Sequence, residues 1–149
     1  MEHTERIKDI LKRKGHNVWS VSPETSIFNA LGVMAEKNCG ALLVMSGDHL
    51  AGIFSERDYA RKVILKGKHS NETPVSEVMT AQVITVGPNN TVAECMKTMT
   101  AGRLRHLPVL ENDRVIGMVS IGDLVNSIIS VQRESIHHLE DYIIGKYPG

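Results

Sequence analysis

The pattern of apolar and polar positions predicts a short strand followed by an amphipathic helix early in the chain. Val18–Val21 is an apolar extended segment, and Pro23 ends it. The next apolar positions have the i, i+3, i+4, i+7 spacing of one buried helix face: Ile27, Ala30, Leu31 and Met34. Thr25 or Ser26 can cap this helix at its start, and Gly40 is predicted to end it.

A hairpin and a further helix are predicted after that. Ala41–Met45 is a continuous apolar run, which is typical of a buried strand. Ser46–Asp48 has the Gly and Asp residues of a turn, and Leu50–Phe54 reads as the returning strand. Ser55 can open a helix that runs to about Lys66.

The same order of elements recurs 65 residues later. Residues 18–65 and 83–130 align without a gap, and eleven of these 48 positions are identical, where chance would give about three. The second copy predicts helix 91–101, strands 106–110 and 115–119, and a helix from Ser120. One duplication at this period indicates two copies of one supersecondary unit. Because each copy is too small to bury its sheet face alone, we expect the two to pack together.

The segments outside the repeats are short. Glu5–Lys14 predicts a helix with Ile7, Ile10 and Leu11 inward, and Pro74–Thr80 predicts one helical turn. Ser130–Tyr147 predicts an amphipathic helical extension, with one apolar side formed by Ile136, Leu139, Tyr142 and Ile143. The predicted organisation is a lead-in helix (1–17), repeat 1 (18–66), a linker (67–82), repeat 2 (83–130) and a C-terminal helical extension (131–149).

Composition narrows the classes of function. Hydrophobic residues make up 42% of the 149 and charged residues 23%, as in an ordinary globular domain. Seventeen basic residues balance seventeen acidic ones, so no net field favours nucleic acid or a membrane surface. Apolar runs of about five residues are far too short to span a bilayer. With no apolar leader after Met1, the cytoplasm is the expected location.

Two segments carry the candidate chemistry. Gly52–Asp58 and Gly117–Asp123 both read G-h-h-S-x-x-D, where h is apolar, at a predicted strand-to-helix junction. One interpretation is a capping box, in which the Ser caps the helix and the Asp reaches back to it. The other is a ligand site. Free N–H groups at a helix start suit a phosphate, and a carboxylate there can hold ribose hydroxyls.

The duplication, the paired motifs and the strand containing Leu107-Pro108-Val109 together resemble a tandem pair of cystathionine-β-synthase (CBS) domains. The segment Gly52–Lys62 is similar to small standalone bacterial proteins of this kind. The resemblance covers roughly residues 15–130. It implies a mixed α/β (α+β) fold of two β-α-β-β-α repeats related by a pseudo-twofold axis. It also implies two clefts between the repeats that bind adenine nucleotides.

The resemblance assigns roles to matching positions. Asp58 and Asp123 would hold ribose hydroxyls, and Ser55 and Ser120 would contact phosphate or ribose. The expected walls of the adenine pockets are Trp19, Thr80, Ile84, Cys39-Gly40-Ala41 and Leu104-Arg105-His106, and Pro108 would fix the strand beside the base. Four side chains, two of them also in these walls, either reach phosphates or are solvated surface charges: Arg57, Arg61, Arg105 and His106.

This chain departs from the family pattern at two places. The first repeat has Leu43 where the family favours Pro, and Trp19 is bulky for an adenine wall. The second repeat has Ile121-Gly122 where the first has Glu56-Arg57. We therefore expect two unequal clefts, with the second holding adenine more conventionally.

The predicted function is a regulatory sensor that binds AMP, ADP, ATP or NAD(H) and signals to a partner protein in trans. The alternative is a structural dimerisation module with no physiological nucleotide. The sequence shows no pairing of a nucleophile with a base, so an enzyme is not predicted and no catalytic cofactor is expected. Adjacent His137 and His138 point to different sides of a helix and predict no metal site. Cys39 and Cys95 are predicted to be reduced. A homodimer is expected from the resemblance and from the apolar C-terminal extension.

Overall fold

The computed structural model describes residues 5–143 of the chain. Its helices are α1 Ile7–Lys14, α2 Ile27–Lys37, α3 Glu56–Asp58, α4 Val92–Gly102 and α5 Ile121–Ile143. Its strands are β1 Ser20–Val21, β2 Ala41–Ser46, β3 His49–Ser55, β4 His106–Glu111 and β5 Arg114–Ser120. Helix α3 continues as a π-helical segment, Tyr59–Ile64, and the linker holds a 3₁₀ turn, Val75–Glu77. The predicted mixed α/β class is confirmed.

The two repeats form two small sheets with matching register. In the first sheet β1 runs parallel to β2, and β3 runs antiparallel to β2. In the second sheet β4 and β5 are antiparallel, and Val86 makes a parallel bridge to Val109. That bridge is equivalent to the Val21–Val44 pair of the first sheet. Each hairpin also has an irregularity just after Val44 or Val109, so the duplication extends to the detail of strand pairing.

Two hydrophobic cores result, and each contains a segment from outside its own repeat. The first core consists of Ile27, Ala30, Met34, Leu42, Val44, Phe54, Val63, Val75 and Val78. The second consists of Ile7, Ile10, Leu11, Val86, Val92, Cys95, Met99, Leu107, Val109, Val119 and Leu124. The linker turn thus completes the core of repeat 1, while α1 completes the core of repeat 2, with the whole of repeat 1 between them in sequence. As a result, the linker lies beside the first G-h-h-S-x-x-D motif and α1 lies beside the second.

The end of α2 corrects one sequence-based prediction. Ser26 caps the helix by accepting a hydrogen bond from the Asn29 N–H at 3.1 Å, as expected. The helix ends at Lys37, however, and the next residue, Asn38, is left-handed with φ 52°. The prediction that Gly40 ends this helix is wrong. Asparagine also tolerates the left-handed conformation, so the helix can end before a glycine is reached.

The cysteines and the C-terminal extension complete the fold. Both thiols are free, and burial in the second core raises the pKa of Cys95 to about 11. Helix α5 includes most of the predicted extension, and Ile136 on it is 57% exposed. The other predicted apolar positions lie outside the described side chains: Leu139, Tyr142 and Ile143.

Candidate functional site

Both G-h-h-S-x-x-D motifs form capping boxes. The Ser55 Oγ accepts from the Asp58 N–H at 3.2 Å, and Asp58 Oδ2 accepts from the Ser55 N–H at 3.0 Å. Ser120 and Asp123 repeat the arrangement at 3.2 and 2.8 Å. The capping interpretation therefore holds for both copies, but it uses only one carboxylate oxygen of each aspartate. At Asp58 the cap leaves Oδ1 outside the hydrogen bonds with Ser55.

Asp58 Oδ1 faces groups from two other parts of the chain. Thr80, at the end of the linker, donates its hydroxyl to Oδ1 at 3.3 Å, and the Lys62 ammonium lies 3.2 Å away. Thr80 is held there by two backbone hydrogen bonds with Ile53, at 2.9 and 3.0 Å. The linker turn that completes the first core thus also delivers a hydroxyl to the motif aspartate.

The Asp58 cleft is a cavity of about 440 Å³ between the two repeats. Its lining is Gly40, Ile53, Ser55, Glu56, Arg57, Asp58, Arg61, Lys62, Thr80, Gly102, Arg103, Leu104, Arg105 and His106. This volume lies in the range of small-molecule sites. Nine of the sixteen predicted site residues line it: Gly40, Ser55, Arg57, Asp58, Arg61, Thr80, Leu104, Arg105 and His106.

The other seven predicted residues lie elsewhere. Trp19 has its ring 4.5 Å from the Lys37 ammonium, and Ile84 lies beside Gly102 at the edge of the cleft. Ala41 and Pro108 are buried within strands, where their side chains pack. Cys39 is part-buried and packs against the first core. Ser120 and Asp123 belong to the second motif, which has different surroundings.

Comparison with known proteins shows the family. A CBS domain profile matches residues 7–65 and 75–130, in two copies. This chain is a member of the CBS-domain family. The Arabidopsis thaliana protein "CBS domain-containing protein CBSX3, mitochondrial" is 40% identical over 95% of this chain and 73% of its own length.

Two solved CBS structures show the same fold. The crystal structure of the CBS domain NE2398 is 49% identical, with a TM-score of 0.82 over 85% of this chain and 99% of that one. The CBS domain pair of MJ0100, solved with 5'-methylthioadenosine and S-adenosyl-L-methionine, is 25% identical. Its TM-score is 0.72 over 81% of this chain and 97% of its own. None of these three relatives is named as an enzyme.

The second motif of this CBS pair is occupied by a lysine. The Lys14 ammonium, at the end of α1, lies 2.7 Å from Asp123 Oδ2 and donates to the Met118 carbonyl at 2.9 Å. Burial alone would raise the pKa of Asp123, but the hydrogen bonds from Lys14 and Ser120 outweigh it and lower the pKa. Asp123 is thus held ionised by a group from the chain itself. The two motifs are unequal, as expected, but the open cavity surrounds the first.

Five residues lining the Asp58 cleft were not predicted from the sequence: Ile53, Glu56, Lys62, Gly102 and Arg103. Lys62 had a signal that could have found it, because it follows Asp58 by four residues in a predicted helix. Arg103 had none. It lies at the cleft as the residue that ends α4, and its carbonyl accepts a 2.6 Å hydrogen bond from the Arg57 guanidinium, 46 residues away.

The charges in the Asp58 cleft are unbalanced. Five cationic side chains line it, against the carboxylates of Glu56 and Asp58, and the cations are Arg57, Arg61, Lys62, Arg103 and Arg105. A cleft lined by one sign of charge concentrates ligands of the opposite sign. The CBS pair therefore presents a positive cleft that suits an anionic ligand.

Neither a metal site nor a membrane span is found in the part of the chain that the structure describes. Between residues 5 and 143, no three His, Cys, Asp or Glu residues come together as metal ligands. The side chains of His137 and His138 lie outside the described set. No helix in the described range is long and apolar enough to cross a bilayer.

His106 in the CBS pair should make folding stability depend on pH. Burial lowers its pKa below the ordinary value of 6.5, and so do Lys14 and Arg105, while Asp123 and Glu56 act the other way. Below pH 6.5 the unfolded chain then binds more protons at this histidine, so the free energy of unfolding falls as the pH falls.

We expect His106→Gln to remove this part of the pH dependence. Urea denaturation of both proteins, about one pH unit above and one below the ordinary histidine pKa, measures it. The wild type should lose more stability between the two pH values than the variant does. Equal losses would show that His106 titrates normally in the fold.

Proposed function

We propose that this CBS pair is a regulatory sensor that binds an adenine nucleotide in the Asp58 cleft and signals to a partner protein in trans. The observation that carries the proposal is the positive cavity between the repeats, with a motif carboxylate and a threonine hydroxyl at one side. Adenosine-containing ligands bound to the MJ0100 pair support the class of ligand.

The cleft offers a group for each part of such a ligand. Asp58 Oδ1 and the Thr80 hydroxyl, 3.3 Å apart, would hold ribose hydroxyls. The backbone of Gly102–Leu104 and the side chain of Ile53, which line the same cavity, would contact the adenine. The excess of arginine and lysine would bind phosphate, and it disfavours the cationic sulfonium of S-adenosylmethionine.

Signalling would follow from the position of the cleft between the repeats. Ser55–Asp58 come from one repeat and Gly102–His106 from the other, so a ligand that contacts both favours one relative arrangement. A ligand shifts such an equilibrium only by its difference in affinity for the two arrangements. A partner protein that recognises the favoured arrangement would read the signal. We propose binding without turnover, and the cytoplasm as location.

The test is a thermal-shift panel on nucleotide-stripped protein with AMP, ADP, ATP, NAD, NADH and S-adenosylmethionine. A ligand that binds only the folded state stabilises it by about 2.7 kcal/mol at 100 times its dissociation constant. At least one phosphate-bearing nucleotide should raise the melting temperature, and calorimetry should give one site per chain. No shift with any ligand would contradict the sensor proposal.

A structural dimer is the second candidate, and one observation favours it. Val125, Ile129 and Ile136 lie on one face of α5 and are 38%, 37% and 57% exposed. An apolar stripe of this kind is suited to pairing with a second copy. Light scattering gives the mass, and a dimer that no nucleotide stabilises would favour this candidate over the sensor.

A further inference from the structure

We propose that Lys14 blocks the second motif of this CBS pair, so that one chain holds a single nucleotide although it carries two motifs. This inference rests on the proposed nucleotide function and adds a control on how many ligands the pair takes. We use the name second cleft for the region around Asp123 that the repeat makes equivalent to the Asp58 cleft.

The Lys14 ammonium holds the second motif at two points. It donates to Asp123 Oδ2 at 2.7 Å and to the Met118 carbonyl at 2.9 Å. The same Oδ2 accepts the capping hydrogen bond from the Ser120 N–H. The Asp123 side chain is only 21% exposed, so water screens the ion pair less than it would screen a pair on the open surface. A ligand that needs the Asp123 carboxylate has to displace the ammonium from it.

Helix α1 is fixed on repeat 2, so a ligand cannot clear the motif by moving the helix. At the start of α1 the Ile7 N–H donates to the Asn90 carbonyl at 2.9 Å. Further along, Leu11 packs so closely on Gly117 that a Cβ at the glycine would lie 2.7 Å from the leucine. The block therefore depends on the Lys14 side chain alone, and a single substitution should remove it.

The lysine at the first motif is held less firmly. Lys62 follows Asp58 by one helical turn, and its ammonium lies 3.2 Å from Oδ1 and 3.5 Å from the Thr80 hydroxyl. The Lys62 side chain also lines the open cavity, so it can turn towards a ligand there. Lys14 comes from a separate element and makes two shorter contacts. We therefore expect the block at the second motif only.

The second cleft also lacks the cations that make the first one positive. By the repeat, the positions equivalent to Arg57, Arg61, Lys62, Arg103 and Arg105 are all uncharged: Gly122, Asn126, Ser127, Asn38 and Gly40. A nucleotide gains no charged contact at these positions that would offset the loss of the ion pair. Lys14 should therefore prevail over a nucleotide, and the second cleft, once opened, should bind more weakly than the first.

Trp19 provides a signal that is specific to the second cleft. It is the only tryptophan of the chain, and it does not line the Asp58 cleft. By the repeat it is equivalent to Ile84, which lies beside Gly102 at the edge of the Asp58 cleft. Trp19 correspondingly lies beside Lys37, the equivalent of Gly102. A ligand in the second cleft should change the fluorescence of Trp19, whereas a ligand in the Asp58 cleft should not.

Lys14→Met tests this inference, because Met79 is the equivalent residue of the first repeat. AMP, ADP, ATP and NAD are titrated separately, and both heat and Trp19 fluorescence are recorded. The wild type should bind one equivalent with unchanged fluorescence. The variant should bind a second equivalent that changes the fluorescence. Its affinity should be at least tenfold above any that the wild type shows at a second site, the effect of losing one charge-assisted hydrogen bond.

Three further variants control this experiment. The double variant Lys14→Met, Asp123→Asn should return to one equivalent, because no carboxylate is left to expose. Lys12→Met removes an exposed lysine from the last turn of the same helix and should behave as the wild type does. Lys14→Gln keeps a neutral donor in place of the ammonium and should also bind a second equivalent. It serves as the test if a lowered melting temperature shows that Lys14→Met does not fold.

The outcomes separate the block by Lys14 from the nucleotide function. One equivalent in both the wild type and the folded Lys14 variant overturns the block and leaves the nucleotide function standing. Two equivalents in the wild type, with a change in Trp19 fluorescence, also overturn the block. If the wild type binds nothing and Lys14→Met binds one equivalent that changes the fluorescence, the block stands and the proposal for the Asp58 cleft falls. If neither protein binds a nucleotide, both fall.

Discussion

Replacing Gly52 by alanine is expected to lower the free energy of unfolding by about 2 kcal/mol, within the range for overpacking a filled site. An alanine Cβ at this position would lie 2.5 Å from Met79 Sδ and 2.9 Å from the Thr80 carbonyl oxygen. The methionine could move, but the carbonyl cannot move freely. It accepts a 3.0 Å hydrogen bond from the Ile53 N–H, so retreat would break the contact that places Thr80 beside Asp58. Urea denaturation gives the stability, and nucleotide affinity should fall with it.

Gly32 provides a matched control for Gly52. It lies in the middle of α2, is exposed, and has open space where a Cβ would be. Gly32→Ala should stabilise the protein, by up to about 1 kcal/mol, because alanine is the better helix former. The same substitution thus has opposite signs at the two positions. A neutral Gly52→Ala would show that the linker is not packed tightly against β3.

Asp58→Asn is expected to weaken nucleotide binding by roughly tenfold to a hundredfold, the effect of losing a charged hydrogen-bond acceptor. The introduced amide would keep an oxygen that can accept from the Ser55 N–H, so the helix cap is largely preserved. What disappears is the negative charge at Oδ1, where Thr80 and Lys62 now converge. Isothermal titration with the best ligand of the nucleotide panel measures the change, and urea denaturation checks that the fold survives.

Asp123→Asn makes the same chemical change in the equivalent motif of repeat 2. Asp123 is paired with Lys14 and lies outside the Asp58 cleft. The nucleotide affinity of the variant should therefore stay within about threefold of the wild type, a smaller change than the loss of one hydrogen bond would cause. The reverse result would be informative. Loss of binding in Asp123→Asn but not in Asp58→Asn would mean that Lys14 yields to a ligand. The second cleft would then bind the ligand, in line with the expectation that it holds adenine more conventionally.

Much of the candidate site could be predicted because its residues are locally encoded. Ser55 and Asp58 were found from a motif that fixes its own geometry through the helix cap, whatever surrounds it. Arg57 and Arg61 follow from the same short helix. Leu104, Arg105 and His106 were predicted from the resemblance to the CBS family, which the strand containing Leu107 helps to carry. Trp19 was less predictable. Its pocket role rested on the family pattern, whereas its ring lies against Lys37.

The contacts that distinguish the two motifs could not be predicted, because they join distant parts of the chain. Lys14 and Asp123 are 109 residues apart, and Arg57 and Arg103 are 46 apart. No local pattern marks either pair. A lysine at the end of a short helix is usually solvated, and only the packing of α1 on the second core brings its ammonium to Asp123. The expectation that the second cleft holds adenine more conventionally did not take the Lys14–Asp123 ion pair into account.

The sequence by itself determined the duplication, the order of strands and helices, the capped motifs and the family. Hydrophobic period, capping residues and turn residues act over a few positions, so they can be recognised without knowing the fold. The tertiary structure decided which core each lead-in segment completes, which motif faces an open cavity, and which cations surround it. The apolar face of a helix indicates only that this face is buried, and does not indicate against which surface. The surface against which Ile7, Ile10 and Leu11 are buried depends on the relative free energies of complete folded arrangements. In the arrangement that forms, Lys14 lies beside Asp123 and Thr80 lies beside Asp58.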